Sequence, residues 1–339
     1  MKPLHVTRIV KRPLHALLLP LVAMLLAVNA WSAPPPSALP PEVRDLSAPP
    51  AATASVPPPP GYKAPASTLD KIRNFGAIYL GHRDASIPFS YMDDEGKVYG
   101  YSWELCQRVA EAVKARLNLT ELPVVPVPTS SSTRIMMVET GTIDLYCGSA
   151  TNTDQRARYV SFSNTYFVTG IKGLVRKDSG IKSIADLQGK TIITTAGSTS
   201  DTYVKAAATR RNVFVNYRSA RSHRDAFNDV LDGKADVFVL DDILLHGLLA
   251  EAPQAEAYKL VLVDESFGYE PYGLMFRKGD PDFKKLVDET LVGLMKSGEI
   301  ERIYAKWFLS AIPPKGINLN VPMGPELKQL IQTPNDRGI

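Results

Sequence analysis

The sequence predicts an α/β protein built from two successive units. Segments with helical spacing alternate with strand-like apolar runs from Thr68 onward, which calls for crossover connections and a largely parallel sheet covered by helices. The alternation breaks off at Tyr166-Phe-Val-Thr-Gly170 and then resumes with the same grammar. A length of 339 residues, 45% of them hydrophobic and 22% charged, is enough for two packed cores.

In the first series, Thr68-Leu-Asp-Lys-Ile-Arg-Asn-Phe-Gly76 reads as a capped helical turn closed by glycine, followed by a strand over 77–81. Ser102 is expected to cap a helix on which Leu105, Val109, Val113 and Leu117 recur at helical spacing. A strand over 124–127, a helix over 132–139 stopped at Gly141 and a strand over 143–146 follow. The second series gives strands over 191–195, 213–217 and 237–240, interleaved with helices over 198–210, 222–231 and 242–250. A strand-like run over 260–263 leads to Tyr272-Gly-Leu-Met-Phe-Arg-Lys278. Asp280-Pro281 then opens a helix to Lys296, with another over 299–308 and a tail of little hydrophobic pattern to Ile339.

The amino-terminal end reads as an address. Lys2, Arg8, Lys11 and Arg12 precede an apolar run from Ala16 to Val28 that is short for a bilayer, and small residues surround a cleavage point after Ala30 or Ser32. Residues 1–32 are therefore a signal peptide for export to the periplasm, with no cysteine placed for lipid attachment. Residues 33–66 crowd together about a dozen of the 27 prolines and form a disordered linker. The net charge of +4 comes from those four leading cations; without them 35 basic residues face 35 acidic ones. That balance excludes a nucleic-acid or anionic-membrane binder. Cys106 and Cys147 are the only cysteines, which allows a single disulfide but no disulfide scaffold, and free, buried thiols are the expectation.

The stretch with most chemistry is Asp144-Leu-Tyr-Cys-Gly-Ser-Ala-Thr-Asn-Thr-Asp-Gln-Arg156. A short buried strand breaks at Gly148 into hydroxyl and amide side chains ending in an arginine, whose planar donor fork matches the two oxygens of a carboxylate. No metal-ligand cluster and no nucleophile with an adjacent base is evident, and no cofactor is called for.

Several spaced stretches together resemble the periplasmic solute-binding proteins that serve ABC importers, and more specifically the glutamate/aspartate-binding proteins. They are Ser67-Thr-Leu-Asp-Lys-Ile, Gly81-His-Arg83 with Ile87-Pro-Phe-Ser-Tyr91, Thr129-Ser-x-x-x-Arg134, Cys147-Gly-Ser149, His223, Asp241-Asp242, Ile312-Pro-Pro-Lys315 and Pro334-Asn-Asp336. The resemblance implies a two-lobed type II binding-protein fold with two hinge crossovers. One lobe would hold 67–167 and 273–339 and the other 170–268, with hinges at 167–170 and 269–273. It implies a monomer that binds L-glutamate or L-aspartate between the lobes and delivers it to membrane permease subunits.

By the same resemblance, Arg156 with Ser149 and Thr151 takes the α-carboxylate, Thr199 at a helix start adds donors from the second lobe, and Asp241 takes the ammonium. Arg83, Ser131, Arg134 and His223 are the candidates for the side-chain carboxylate. His223 is expected to be protonated in the complex, and no protein carboxylate is expected to neutralise the arginines. Two positions depart from the family pattern. Ala150 stands where threonine is usual, which would enlarge or dry the cleft, and Cys106 stands where a small polar residue is expected. A dehydratase-like enzyme on the same scaffold and a ligand-sensing receptor are the alternative functions.

Overall fold

The computed structural model describes residues 67–265 and 267–339; the expected signal peptide and proline-rich linker lie outside the described residues. The first series comprises α1 (Thr68–Phe75), β1 (Ile78–His82), β2 (Ala85–Ser86), β3 (Ser90–Met92), β4 (Val98–Tyr99), α2 (Tyr101–Arg116), β5 (Val124–Pro128), α3 (Arg134–Glu139), β6 (Leu145–Tyr146) and β7 (Val160–Phe162). The second comprises β8 (Phe167–Arg176), β9 (Thr191–Thr195), α4 (Thr199–Arg210), β10 (Asn216–Ala220), α5 (His223–Leu231), β11 (Val237–Asp241), α6 (Asp242–Glu251), β12 (Tyr258–Val261) and β13 (Tyr269–Tyr272). The chain ends with β14 (Met275–Arg277), α7 (Pro281–Lys296), α8 (Glu299–Phe308) and α9 (Pro325–Gln332).

Two large sheets result, ordered β5-β1-β6-β14-β7 and β10-β9-β11-β8-β12, beside a small one ordered β2-β3-β4. Each large sheet is parallel across its first three strands and antiparallel beyond, because the chain leaves the first sheet through β8 and re-enters it through β14. The ten residues of β8 serve two roles. Their first part pairs with β13, Phe167 opposite Tyr272 and Gly170 opposite Tyr269, and their second part lies within the second sheet. The two connections between the sheets are thus hydrogen-bonded to each other. An aromatic cluster packs against them. Phe167 lies 4.8 Å from Phe89 and 5.1 Å from Phe308, and Tyr272 lies 5.2 Å from Phe89. Such ring pairs contribute about 1 kcal/mol each beyond area burial, so the junction is stiffened by its packing.

Local signals set the helix starts. Ser67, Ser198 and Ser222 accept the amides of Asp70, Asp201 and Asp225 at 3.1, 3.2 and 3.0 Å, and the Asp280 carboxylate accepts that of Phe283 at 3.2 Å. Each such cap contributes about 1 kcal/mol and pins the first helical residue. In α4 and α5 those residues are Thr199 and His223.

Several expectations are corrected. Gly100, not Ser102, caps α2; the Ser102 hydroxyl instead bridges the carbonyls of Phe89 (2.8 Å) and Cys147 (2.9 Å). The strand expected over 213–217 runs from Asn216 to Ala220, because the chain turns through Asn212 at φ 53° and pairing begins at Thr191 opposite Asn216. The tail contains α9, whose Leu327 and Ile331 are buried one helical turn apart, a single pair in a helix of 8 residues that is too short to show as a periodic pattern. Beyond α9 the tail docks on the segment between β6 and β7, with the Asp154 amide on the Ile339 carbonyl at 2.9 Å and the Ile339 amide on the Asn152 carbonyl at 3.1 Å.

Cys106 and Cys147 are joined in a disulfide, contrary to the free thiols expected. Packing of α2 over the sheet brings their Cα atoms to 6.0 Å, within the bridging range, a distance that a separation of 41 residues does not reveal. Helix α6 meets the segment between β2 and β3 so closely that a Cβ on Gly247 would stand 2.4 Å from the Ile87 carbonyl oxygen. Among the described residues no helix is long and apolar enough to cross a membrane.

Candidate functional site

The site lies where β1, β6, β9 and β11 end, beyond the carboxyl edges of both sheets, the usual ligand position of open α/β sheets. A narrow cavity of about 10 Å³, at the lower limit for one water molecule, is lined by Ser131, Arg134, Ser149, Thr151, Thr199, His223 and Asp241, together with Ser198, Leu240 and Leu244. Seven of the nine residues predicted from sequence therefore share one cavity. The other two, Arg83 and Arg156, reach it through shared partners.

Arg83 follows β1 and is 1% exposed. Its Nη1 donates to Ser131 Oγ (2.9 Å) and to the Tyr146 hydroxyl (3.4 Å). Arg134, the first residue of α3, is equally buried; its Nη1 donates to the Ser149 carbonyl (2.8 Å) and to the same tyrosine hydroxyl (3.2 Å). The Nε atoms of both arginines and the Ser149 hydroxyl are buried without a hydrogen-bond partner. Tyr146, which sequence reading did not assign, is the wedge between two like charges. Burial alone would raise its pKa, but Arg134 and Arg83 outweigh burial and hold it below the ordinary value.

Arg156 crosses the cleft. Its Nη1 donates to the Thr151 carbonyl (2.9 Å) and its Nη2 to the Gly197 carbonyl (3.2 Å), on the far side. Burial, reinforced by Arg134 and opposed by Glu270 and Asp241, lowers its pKa to about 10, so it stays charged at neutral pH. Gly197 adopts φ 79°, a conformation that L side chains avoid, and a Cβ there would lie 2.7 Å from the Ser131 carbonyl oxygen. Glycine is thus what lets the two sides approach at that point. Every hydrogen-bond partner of the three guanidiniums is a hydroxyl or a backbone carbonyl.

Two carboxyl groups face them. Asp241, the last residue of β11, accepts the hydroxyls of Ser200 (3.3 Å) and Tyr272. Burial raises its pKa against those bonds and against Arg156. The second, Glu270, contradicts the expectation that no carboxylate is available. It is fully buried on β13, and its Oε2 accepts the hydroxyls of Thr151 (2.7 Å) and Thr199 (2.9 Å). Its sequence context, Tyr269-Glu-Pro-Tyr272, looks like an ordinary polar connection; only the pairing of β13 with β8 places it inside.

His223 opens α5. Its ring is buried, with Nδ1 2.8 Å from the Thr195 hydroxyl. Burial, then Arg83 and Arg134, lower its pKa well below the ordinary value, so the ring is neutral at neutral pH. A neutral ring that accepts the Thr195 proton at Nδ1 carries its own proton on Nε2 and serves as a donor without charge. Ala150 does not shape the cavity: it packs with Tyr146, Val160, Phe162 and Met275 in a core cluster. The substitution of alanine at this position therefore alters packing behind the site rather than the cavity wall.

Among the described residues no group of three or more His, Cys, Asp or Glu side chains is placed to hold a metal ion. What the arrangement does present is a buried set of fixed donors and cations with two acids on the opposite side, suited to a small zwitterion with surplus negative charge.

Comparison with known proteins agrees with this fold. The family profile of bacterial extracellular solute-binding proteins, family 3, matches residues 78–310. The L-glutamate/L-aspartate-binding protein of Pseudomonas aeruginosa is 46% identical over 271 residues, 80% of this chain and 89% of that protein. The glutamate/aspartate import solute-binding protein of Escherichia coli is 40% identical over 276 residues, 81% of this chain and 91% of that one. An ancestral arginine-binding protein bound to arginine superposes with a TM-score of 0.61 at 30% identity, covering 69% of this chain and 98% of that structure. The chain belongs to the bacterial extracellular solute-binding proteins, family 3.

Proposed function

We propose that this protein captures L-glutamate or L-aspartate between its two sheets and delivers it, unchanged, to the membrane permease of an ABC importer. The observation that carries the ligand assignment is the surplus of buried positive charge. Three guanidiniums face two carboxyl groups, both of which burial makes reluctant to ionise. A ligand with two carboxylates and one ammonium brings one net negative charge that offsets part of that surplus, whereas a neutral amide brings none and leaves it whole. Arg156, Ser149 and Thr151 would take the α-carboxylate with the start of α4, Asp241 the ammonium, and Arg83, Ser131, Arg134 and His223 the second carboxylate. The relatives named for glutamate and aspartate support this reading, and none of those is an enzyme.

The two lobes in this reading are 67–167 with 273–339, and 170–268. Contacts to both sides drive closure, since a ligand shifts a conformational equilibrium only through its differential affinity for the two states. The protein would act as a monomer in the periplasm after removal of residues 1–32.

Calorimetry with glutamate, aspartate, glutamine and asparagine tests the assignment. Leaving a buried charge uncompensated costs a few kcal/mol, so each acid should bind about a hundredfold or more tighter than its amide. Glutamine bound within a few-fold of glutamate would remove Arg83 and Arg134 from the side-chain subsite.

A further inference from the structure

Glu270 holds a position that the ligand roles above leave unused. Thr151 and Thr199 line the cavity from opposite sides, and Glu270 stands behind both, with Oε2 on their two hydroxyls at 2.7 and 2.9 Å. Its other oxygen, Oε1, is buried without a hydrogen-bond partner. A threonine hydroxyl has one proton to donate and two lone pairs to offer. Once that proton is committed to Glu270, the hydroxyl meets whatever enters the cavity as an acceptor.

We propose that Glu270 is a positioning residue of the binding site: by taking the protons of Thr151 and Thr199 it turns both hydroxyls into acceptors for the ligand's ammonium group. The inference rests on reading the site as one for an acidic amino acid. It changes the part given to the Thr151 hydroxyl, from carboxylate donor to ammonium acceptor. With Asp241 it gives the ammonium three acceptors drawn from both halves of the molecule, which is the number of its protons. An acid that lacks the ammonium gains nothing from this arrangement.

The charged and titratable groups around Glu270 are Asp241 at the end of β11, Arg156 in the turn before β7, Tyr203 on α4 and Tyr272 on its own strand. Burial and then Asp241 raise its pKa to about 8, against the two threonine bonds and Arg156. Near neutrality the free site therefore largely retains a proton on Glu270. An ammonium bound close by favours the carboxylate and lowers that pKa, so binding expels a fraction of a proton. The sign follows: affinity for ammonium-bearing ligands rises with pH and levels off above about pH 8.

The test compares glutamate with glutarate, the same dicarboxylate without the ammonium, by calorimetry on the wild type, Glu270→Gln and Thr199→Val. In Glu270→Gln, whose amide oxygen still accepts the threonine protons but carries no charge, the affinity for glutamate should fall about tenfold or more while that for glutarate changes by less than about twofold, as expected for losing the negative charge beside the ammonium. Thr199→Val tests the acceptor itself. The proton release, measured at pH 7 in buffers of different ionisation enthalpy, should disappear with it. Equal losses for the two ligands, or an unchanged affinity for glutamate, would overturn the proposal. Thermal unfolding of the free variants checks their folding. Should Glu270→Gln not fold, Thr199→Val, which preserves shape but removes the hydroxyl, decides on the same two outcomes. A wild type that binds neither glutamate nor aspartate would overturn the functional reading itself, a failure distinct from one in the role of Glu270.

Discussion

Arg156→Ala is expected to abolish measurable binding of every amino acid, acidic or neutral. The α-carboxylate is common to all of them, and Arg156 is the guanidinium that reaches both sides of the cleft through the Thr151 and Gly197 carbonyls. Removing it leaves a ligand carboxylate buried without its cation, a loss of about 3–5 kcal/mol, or roughly a thousandfold in affinity. It also removes a bond that spans the cleft, so the loss includes part of closure. Arg156→Lys should recover only a fraction, because an ammonium is a point donor and cannot serve a carboxylate and two carbonyls in one plane. Arg134→Ala should behave differently, weakening the acids and narrowing their advantage over the amides. Calorimetry on the three variants separates these patterns; Arg156→Ala with a Kd within about tenfold of wild type would end the assignment.

The second large effect concerns stability. Opening the Cys106–Cys147 bridge releases a loop of 41 residues in the unfolded chain, which in the chain-entropy account lowers stability by about 4 kcal/mol. For a body of this size that corresponds to a fall in Tm of roughly 10 °C. The bridge also anchors the backbone immediately before Gly148 and Ser149, where Ser102 holds the Cys147 carbonyl and Tyr166 holds that of Gly148 at 2.6 Å. Reduction should therefore weaken ligand binding as well as the fold. Melting curves of the oxidised protein, the reduced protein and Cys106→Ala/Cys147→Ala test this. Identical midpoints, with the thiols shown to be free, would mean that the bridge contributes nothing to stability.

What the sequence discloses and what it conceals divide along a physical line. Caps and turns are written in neighbouring residues, so Ser67, Ser198, Ser222 and Asp280 announce their helices, and the starts of α4 and α5 place Thr199 and His223 correctly. Contacts across the fold are not written locally. Nothing near Glu270 says that it is buried against two threonines from distant segments of the chain, and nothing near Cys106 says that Cys147 lies 6.0 Å away. The surroundings that set the charge of His223 are not written locally either. Histidine's titration near neutrality is a local fact, but the burial and the two arginines that suppress it arrive from other elements. The arginines themselves, identified through the spacing of several motifs rather than any one of them, are all buried around one cavity.

The close approach at Gly247 bears on how such a molecule can be handled. The residue sits inside α6 with no unusual backbone angle, where alanine would favour the helix by about 1 kcal/mol. The added methyl collides instead with the Ile87 carbonyl across the gap. In the two-lobed reading proposed above, Gly247→Ala is thus expected to act as a doorstop made of a single carbon: each half would keep its shape, and the door would not shut. Solution scattering should show wild type shrinking on adding glutamate while the variant keeps its girth, and a variant that shrinks equally would mean that the Ile87 segment gives way. A protein held ajar in this way would keep everything that belongs to the fold and nothing that belongs to the shutting.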